Sequence, residues 1–96
     1  MKQIIAGYKY LISKNIIHRD LKPANIMCFG NKWKIADFGF ARYCKSEYIL
    51  DKVHVGTPLY LAPESLSMSK YSFKGDLFAL GVIFYEMLTG ETPWPS

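Results

Sequence analysis

Ninety-six residues, half of them apolar and 16% aromatic, exclude a disordered chain and suit one small domain or part of a larger one. The net charge of +4 is uneven, with nine Lys/Arg against three Asp/Glu over residues 1–50 and three against five over residues 51–96. The basic residues stand singly rather than in a tract, so a solvated face or a site that welcomes phosphates explains the excess, and no nucleic-acid partner is expected.

The first element is a helix over 2–14, where Ile4, Ile5, Tyr8, Leu11 and Ile12 recur at helical spacing. Its opening decapeptide has no apolar core followed by a small-residue cleavage site, so no leader is expected. A polar loop follows, "HRDLKPAN" at 18–25. Two short apolar runs at 26–29 and 33–36 flank Gly30-Asn31, a turn signal that predicts a β-hairpin over 26–36. Residues 37–63 read as a long irregular stretch, which in a compact domain tends to be functional. A short helix is expected over 63–68, started by Pro63 with Glu64 near its positive end. The last element is a helix over 76–89, apolar nearly all round and closed by Gly90 before Pro93. Its run "LFALGVIFY" is too short to span a bilayer and reads as buried, so no membrane partner is expected.

Cys28 and Cys44 with His18 and His54 fit no zinc-ligand spacing; reduced thiols in an intracellular, cytoplasmic protein are the expectation. The oxygen-bearing side chains are more informative. A hairpin brings its open ends together, so Asn25 before the first strand and Asp37 after the second stand side by side. Such a pair suits a hard cation such as Mg²⁺. Asp20 precedes Asn25 by five positions and can accept a hydroxyl proton; Lys22 can neutralise phosphate oxygens. Phosphoryl transfer needs little beyond positioning and charge stabilisation, so these four groups make a half-site for it.

"HRDLKPAN", then "DFG" at 37–39, then "APE" at 62–64 resembles the signature set of the eukaryotic protein kinases, and the resemblance runs from residue 1 to residue 96. It implies an α+β family fold, of which this chain would be a mostly helical part of the large lobe with one short hairpin: catalytic loop 18–25, activation segment 37–64, central helix 76–89. It also implies roles. Asp20 is similar to the catalytic base and Lys22 to the residue that contacts the transferred phosphate of ATP. Asn25 and Asp37 resemble the Mg²⁺ ligands, and Gly39 the hinge behind the metal-binding Asp. Arg19 is similar to the arginine that pairs with a phosphorylated activation loop. Thr57 resembles the threonine that links the peptide-binding loop to Asp20 and Lys22. Asp76 resembles the buried helix-capping aspartate that braces the catalytic loop, and Glu64 the glutamate that pairs with an arginine from a later helix. His18 and Phe38 read as packing residues, while His54, Trp94 and the tyrosines read as loop, core or interface residues without a chemical role.

Lys22 and "GTPLYLAPE" at 56–64 resemble the serine/threonine branch, whose substrates are protein hydroxyls. Phe40 implies a preference for serine over threonine. "KIADFGFAR" at 34–42 with "GTPLYLAPE" is similar to the autophagy-initiating kinases and their relatives. An upstream activating kinase is a further expected partner. Val53 and Val55 stand where such kinases carry phosphosites, which leaves Ser46 as the regulatory candidate. The family's smaller β lobe, with its Gly-rich phosphate loop, has no counterpart within these residues. The 96 residues alone are therefore expected to bind ATP–Mg²⁺ weakly and to turn over little. A non-catalytic, pseudokinase-like interaction module stays open as the alternative.

Overall fold

A computed structural model describes residues 2–51 and 55–91. Val53, His54, Pro93 and Trp94, named above, lie outside the described residues. Helix α1 runs Lys2–Ser13 and places Ile4, Tyr8 and Leu11 on one buried face. It ends one residue short of the expected 14, where Asn15 turns left-handed with φ 58°. That conformation breaks a helix, and asparagine tolerates it better than most residues.

Strand β1 (Ile16–Ile17) leads into the polar loop. β2 (Ile26–Phe29) and β3 (Lys32–Ile35) form the expected hairpin, with Ile26 opposite Ile35 and Phe29 opposite Lys32. The second strand sits one residue earlier than the apolar run suggested, because Gly30 takes the turn at φ 61° and Lys32 already pairs. Gln3 of α1 fastens the hairpin: its side chain donates to the carbonyl of Asn31 at 3.2 Å and accepts from the amide of Trp33 at 2.5 Å.

The stretch 37–63 is less irregular than its sequence implied. It contains β4 (Arg42–Tyr43), which pairs with β1, and β5 (Ile49–Leu50), which pairs with β6 (Lys70–Tyr71). A 3-10 turn follows over Pro58–Tyr60. Two-residue strands carry no periodic signal, and both partners are remote in sequence, so only the folded chain reveals them. Helix α2 covers Pro63–Met68 and ends at Ser69 with φ 54°.

Helix α3 runs Phe73–Thr89, starting three residues before the expected 76. Ser72 supplies the start, its hydroxyl accepting from the amide of Gly75 at 3.4 Å. Gly90, at φ 83°, closes it with an N–H donated to the carbonyl of Glu86 at 2.7 Å. The helix is not buried all round. Asp76, Ala79, Leu80, Val82 and Ile83 face inward, whereas Leu77, Tyr85, Met87 and Leu88 are exposed.

The main core lies between α1 and α3, where Ile4, Tyr8 and Leu11 meet Ala79, Leu80, Val82 and Ile83 around Leu21 and Tyr60. A smaller cluster of Ile17, Cys44, Val55 and Tyr71 adjoins it, and Phe73 packs against both. The polar loop 18–25 is thus anchored from both sides, by Ile17 in one cluster and Leu21 in the other. No helix among the described residues is long and apolar enough to cross a membrane.

Candidate active site

The loop 18–25 is polar, yet His18, Arg19, Asp20 and Asn25 are all buried. A polar group can stay inside only with hydrogen-bond partners. Asp76 supplies them from below: one carboxylate oxygen accepts the His18 amide at 2.7 Å and the other the Arg19 amide at 3.0 Å. The Tyr8 hydroxyl donates to the same carboxylate at 3.0 Å, so α1, the loop and α3 meet at one group. Burial pushes the Asp76 carboxyl above its ordinary value, and the two amides pull it back. Burial, then the Asp76 charge, raises the Tyr8 phenol. Asp76 does not cap its helix; Ser72 does, and the carboxylate is left for the loop.

Arg19 holds a left-handed backbone, φ 76°, which costs about 1–2 kcal/mol in a non-glycine residue. The two amide bonds to Asp76 offset that cost, and the turn carries Asp20 to the opposite side of the loop. There Asp20 meets Thr57, whose hydroxyl donates to its Oδ1 at 3.2 Å. Lys22 Nζ donates to the same hydroxyl at 3.1 Å and lies 3.8 Å from Asp20 Oδ2. Asn25 Nδ2 donates to the Asp20 carbonyl at 2.6 Å and approaches Oδ2 at 3.4 Å. Four of the expected residues, Asp20, Lys22, Asn25 and Thr57, therefore form one hydrogen-bonded group.

Asp37 is arranged differently from the expectation. Ala36, not Asp37, lies opposite Asn25, donating its amide to the Asn25 carbonyl at 2.7 Å. Asp37 comes one residue later, exposed and left-handed at φ 58°. The unusual conformation thus falls on Asp37 and not on Gly39. Gly39 matters instead for close approach: its amide donates to Asp37 Oδ1 at 3.3 Å, and a Cβ there would stand 3.3 Å from that oxygen. With Nδ2 spent on Asp20, the Asn25 amide offers its oxygen, and Asp37 offers a carboxylate in solvent. Two oxygen donors at adjoining ends of a hairpin fit a hard divalent cation.

His18 is fully buried, with Nε2 against the Ala36 carbonyl at 2.8 Å and Nδ1 accepting the Asp20 amide at 3.1 Å. Both ring nitrogens are used, and the ring meets Phe38 edge-on at 5.1 Å. Phe38 is a weaker packing residue than expected, at 48% exposed. Glu64 is half-buried in the first turn of α2. Ser46 lies on the surface, its hydroxyl donating to the Tyr48 carbonyl at 2.9 Å.

The Arg19 side chain faces the stretch 37–64, where a carboxylate holds it. Nε donates to the Phe40 carbonyl at 2.7 Å, one terminal nitrogen meets Asp51 Oδ2 at 2.8 Å, and the plane lies 4.9 Å from the Tyr71 ring centre.

Two residues that support Thr57 had no role of their own in the sequence reading. Gly56 takes φ +97°, and a Cβ there would stand 2.7 Å from the Arg19 carbonyl and 2.6 Å from Leu61 Cδ2. That close approach seats Thr57 on the loop; the neighbouring Thr57-Pro58 was the signal that could have drawn notice. Tyr60, behind Thr57, donates to Glu86 Oε1 at 2.5 Å, and burial with that carboxylate pushes its phenol up to about 12.

The family model described as "Protein kinase domain" matches residues 1–96. "Serine/threonine-protein kinase atg1" of Dictyostelium discoideum is 44% identical over 100 residues, covering all of this chain and 15% of the relative. "Serine/threonine-protein kinase ATG1c" of Arabidopsis thaliana is 44% identical over 98 residues, covering 98% of this chain and 13% of the relative. "Serine/threonine-protein kinase ULK1" of Homo sapiens is 41% identical over 106 residues, covering all of this chain and 10% of the relative. The chain thus spans a small part of the length of these relatives. With the match running over every residue, and with serine/threonine kinases as its relatives, this chain belongs to the protein kinase family.

Proposed function

We propose that this chain carries the phosphoryl-acceptor side of a serine/threonine kinase site. The observation that carries the reading is the hydrogen-bonded row Lys22–Thr57–Asp20, with Asn25 bound to the same aspartate. Asp20 orients a substrate serine or threonine hydroxyl and accepts its proton as the oxygen attacks the γ-phosphorus of ATP. The bond from that phosphorus to the bridging oxygen breaks, and ADP leaves. Lys22 balances charge on the transferred oxygens, and Thr57 bridges Asp20 and Lys22, whose charged groups also pair at 3.8 Å. Asn25 and Asp37 would hold Mg²⁺, which would neutralise phosphate charge when bound. A protein segment laid along 56–61 would bring its hydroxyl to the Asp20 end of the row, and Phe40 supports serine as the preferred acceptor.

The test is transfer of labelled phosphate from ATP to a serine peptide by the protein that carries this chain. Asp20→Asn should cut kcat by about 10²–10⁴-fold with melting temperature little changed. Retained activity in that variant would overturn the assignment. As an isolated 96-residue polypeptide the chain is expected to bind ATP–Mg²⁺ weakly and turn over little, because its residues include no Gly-rich phosphate loop. A non-catalytic interaction module is the second reading. Transfer activity lost on Asp20→Asn decides against it.

A further inference from the structure

A buried guanidinium needs a counter-charge, and the source of that charge decides how the activation segment is held. The Arg19 side chain is 1% exposed and its ion-pair partner is Asp51, at 2.8 Å. We propose that Asp51 is a built-in counter-ion for Arg19, a positioning residue that keeps the activation segment docked on the catalytic loop without a phosphate. The inference rests on the kinase reading above and concerns the regulation of that site.

Three independent observations support it. First, Asp51 is delivered by backbone and not by a free loop. β5 pairs with β6, and the Asp51 amide donates to the Ser69 carbonyl at 3.3 Å. The Lys70 ammonium, 4.7 Å from the Tyr48 ring centre, clasps the same strand pair from the side. Second, β6 also contributes Tyr71, whose ring lies against Arg19 and whose hydroxyl accepts the Val55 amide at 3.2 Å. Arg19, Asp51, Val55 and Tyr71 therefore form one junction between loop and segment. Third, residues 49–56 contain no serine, threonine or tyrosine, so they offer no hydroxyl for phosphorylation beside Arg19.

The remaining terminal nitrogen of Arg19 has no hydrogen-bond partner among the described residues. A phosphate brought to that nitrogen from elsewhere would sit beside the Asp51 carboxylate, and like charges repel. One carboxylate balances one guanidinium, so the pair is neutral as it stands.

The experiment uses the protein that carries this chain, treated with phosphatase, with two readouts: phosphate transfer to a serine peptide, and hydrogen exchange at the amides of residues 41–51. The wild type should keep its activity after phosphatase. Asp51→Asn should lower the protection of those amides and the activity by about 10- to 100-fold, a magnitude discounted for the partial exposure of Asp51. Asp51→Glu should restore most of both, since it returns the charge at a slightly different reach. Loss of wild-type activity on phosphatase treatment would overturn the proposal. So would an Asp51→Asn variant with wild-type activity and protection, or an Asp51→Glu variant no better protected than Asp51→Asn. If the wild type transfers no phosphate at the outset, the kinase reading fails, and protection in Asp51→Asn against Asp51→Glu still decides the counter-ion.

Discussion

The segments 18–25 and 37–40 both carry motif residues, and the structure treats them in opposite ways. In the first, His18, Arg19, Asp20 and Asn25 are buried; in the second, Asp37, Phe38, Gly39 and Phe40 are all exposed. The difference comes from what lies underneath. Loop 18–25 rests on the Asp76 carboxylate and inserts Leu21 into the main core. Segment 37–40 is attached at its margins, through Phe40 to Arg19 and Phe38 to His18. A polar loop can be packed as firmly as an apolar strand when another part of the chain brings it acceptors, here from 57 and 58 residues away.

If that contrast is right, removing the acceptor should have the largest effect. Asp76→Ala leaves two buried amides without a partner and the Tyr8 hydroxyl with only its longer contact, to the Phe73 carbonyl at 3.4 Å, and should cost roughly 3–5 kcal/mol, read by urea unfolding. A loss near zero would mean that the loop does not depend on its brace. Next comes Gly56→Ala, which must hold a left-handed backbone and move both Leu61 and the Arg19 carbonyl. It should cost about 2–4 kcal/mol. Nuclear magnetic resonance should show Thr57 displaced from Asp20, and an unshifted Thr57 signal would break the link drawn between this glycine and the loop. The smallest effect belongs to the exposed segment: Phe38→Ala should cost under about 1 kcal/mol in a thermal melt. A loss equal to that of Asp76→Ala would erase the contrast between the two segments.

Much of the fold was legible because the apolar spacing of α1, the Gly30 turn and the Pro63 start are local signals. The helix after Tyr71 was legible too, but its true start at Ser72–Phe73 was not, since Lys74 and Gly75 interrupt the apolar pattern while the Ser72 hydroxyl still caps it. The motif residues were legible as letters, and the folded chain brings Asp20, Lys22, Asn25 and Thr57 together. Gly39 is the expected hinge, yet the left-handed backbone falls on Asp37. The reason is that a motif records residue type, whereas φ is set by how the hairpin leaves its last paired residue.

By itself the sequence determined the family, the run of polar residues at 18–25 and the elements with a periodic pattern. Tertiary structure alone decided that Asp76 leaves the capping of its own helix to Ser72, that Gly56 must approach Arg19, and that Asp51 faces the buried guanidinium. Each of these depends on contacts between residues 32 to 58 positions apart. Local propensity cannot encode such distances; they follow from the pairing of short strands and the packing of α3 against α1.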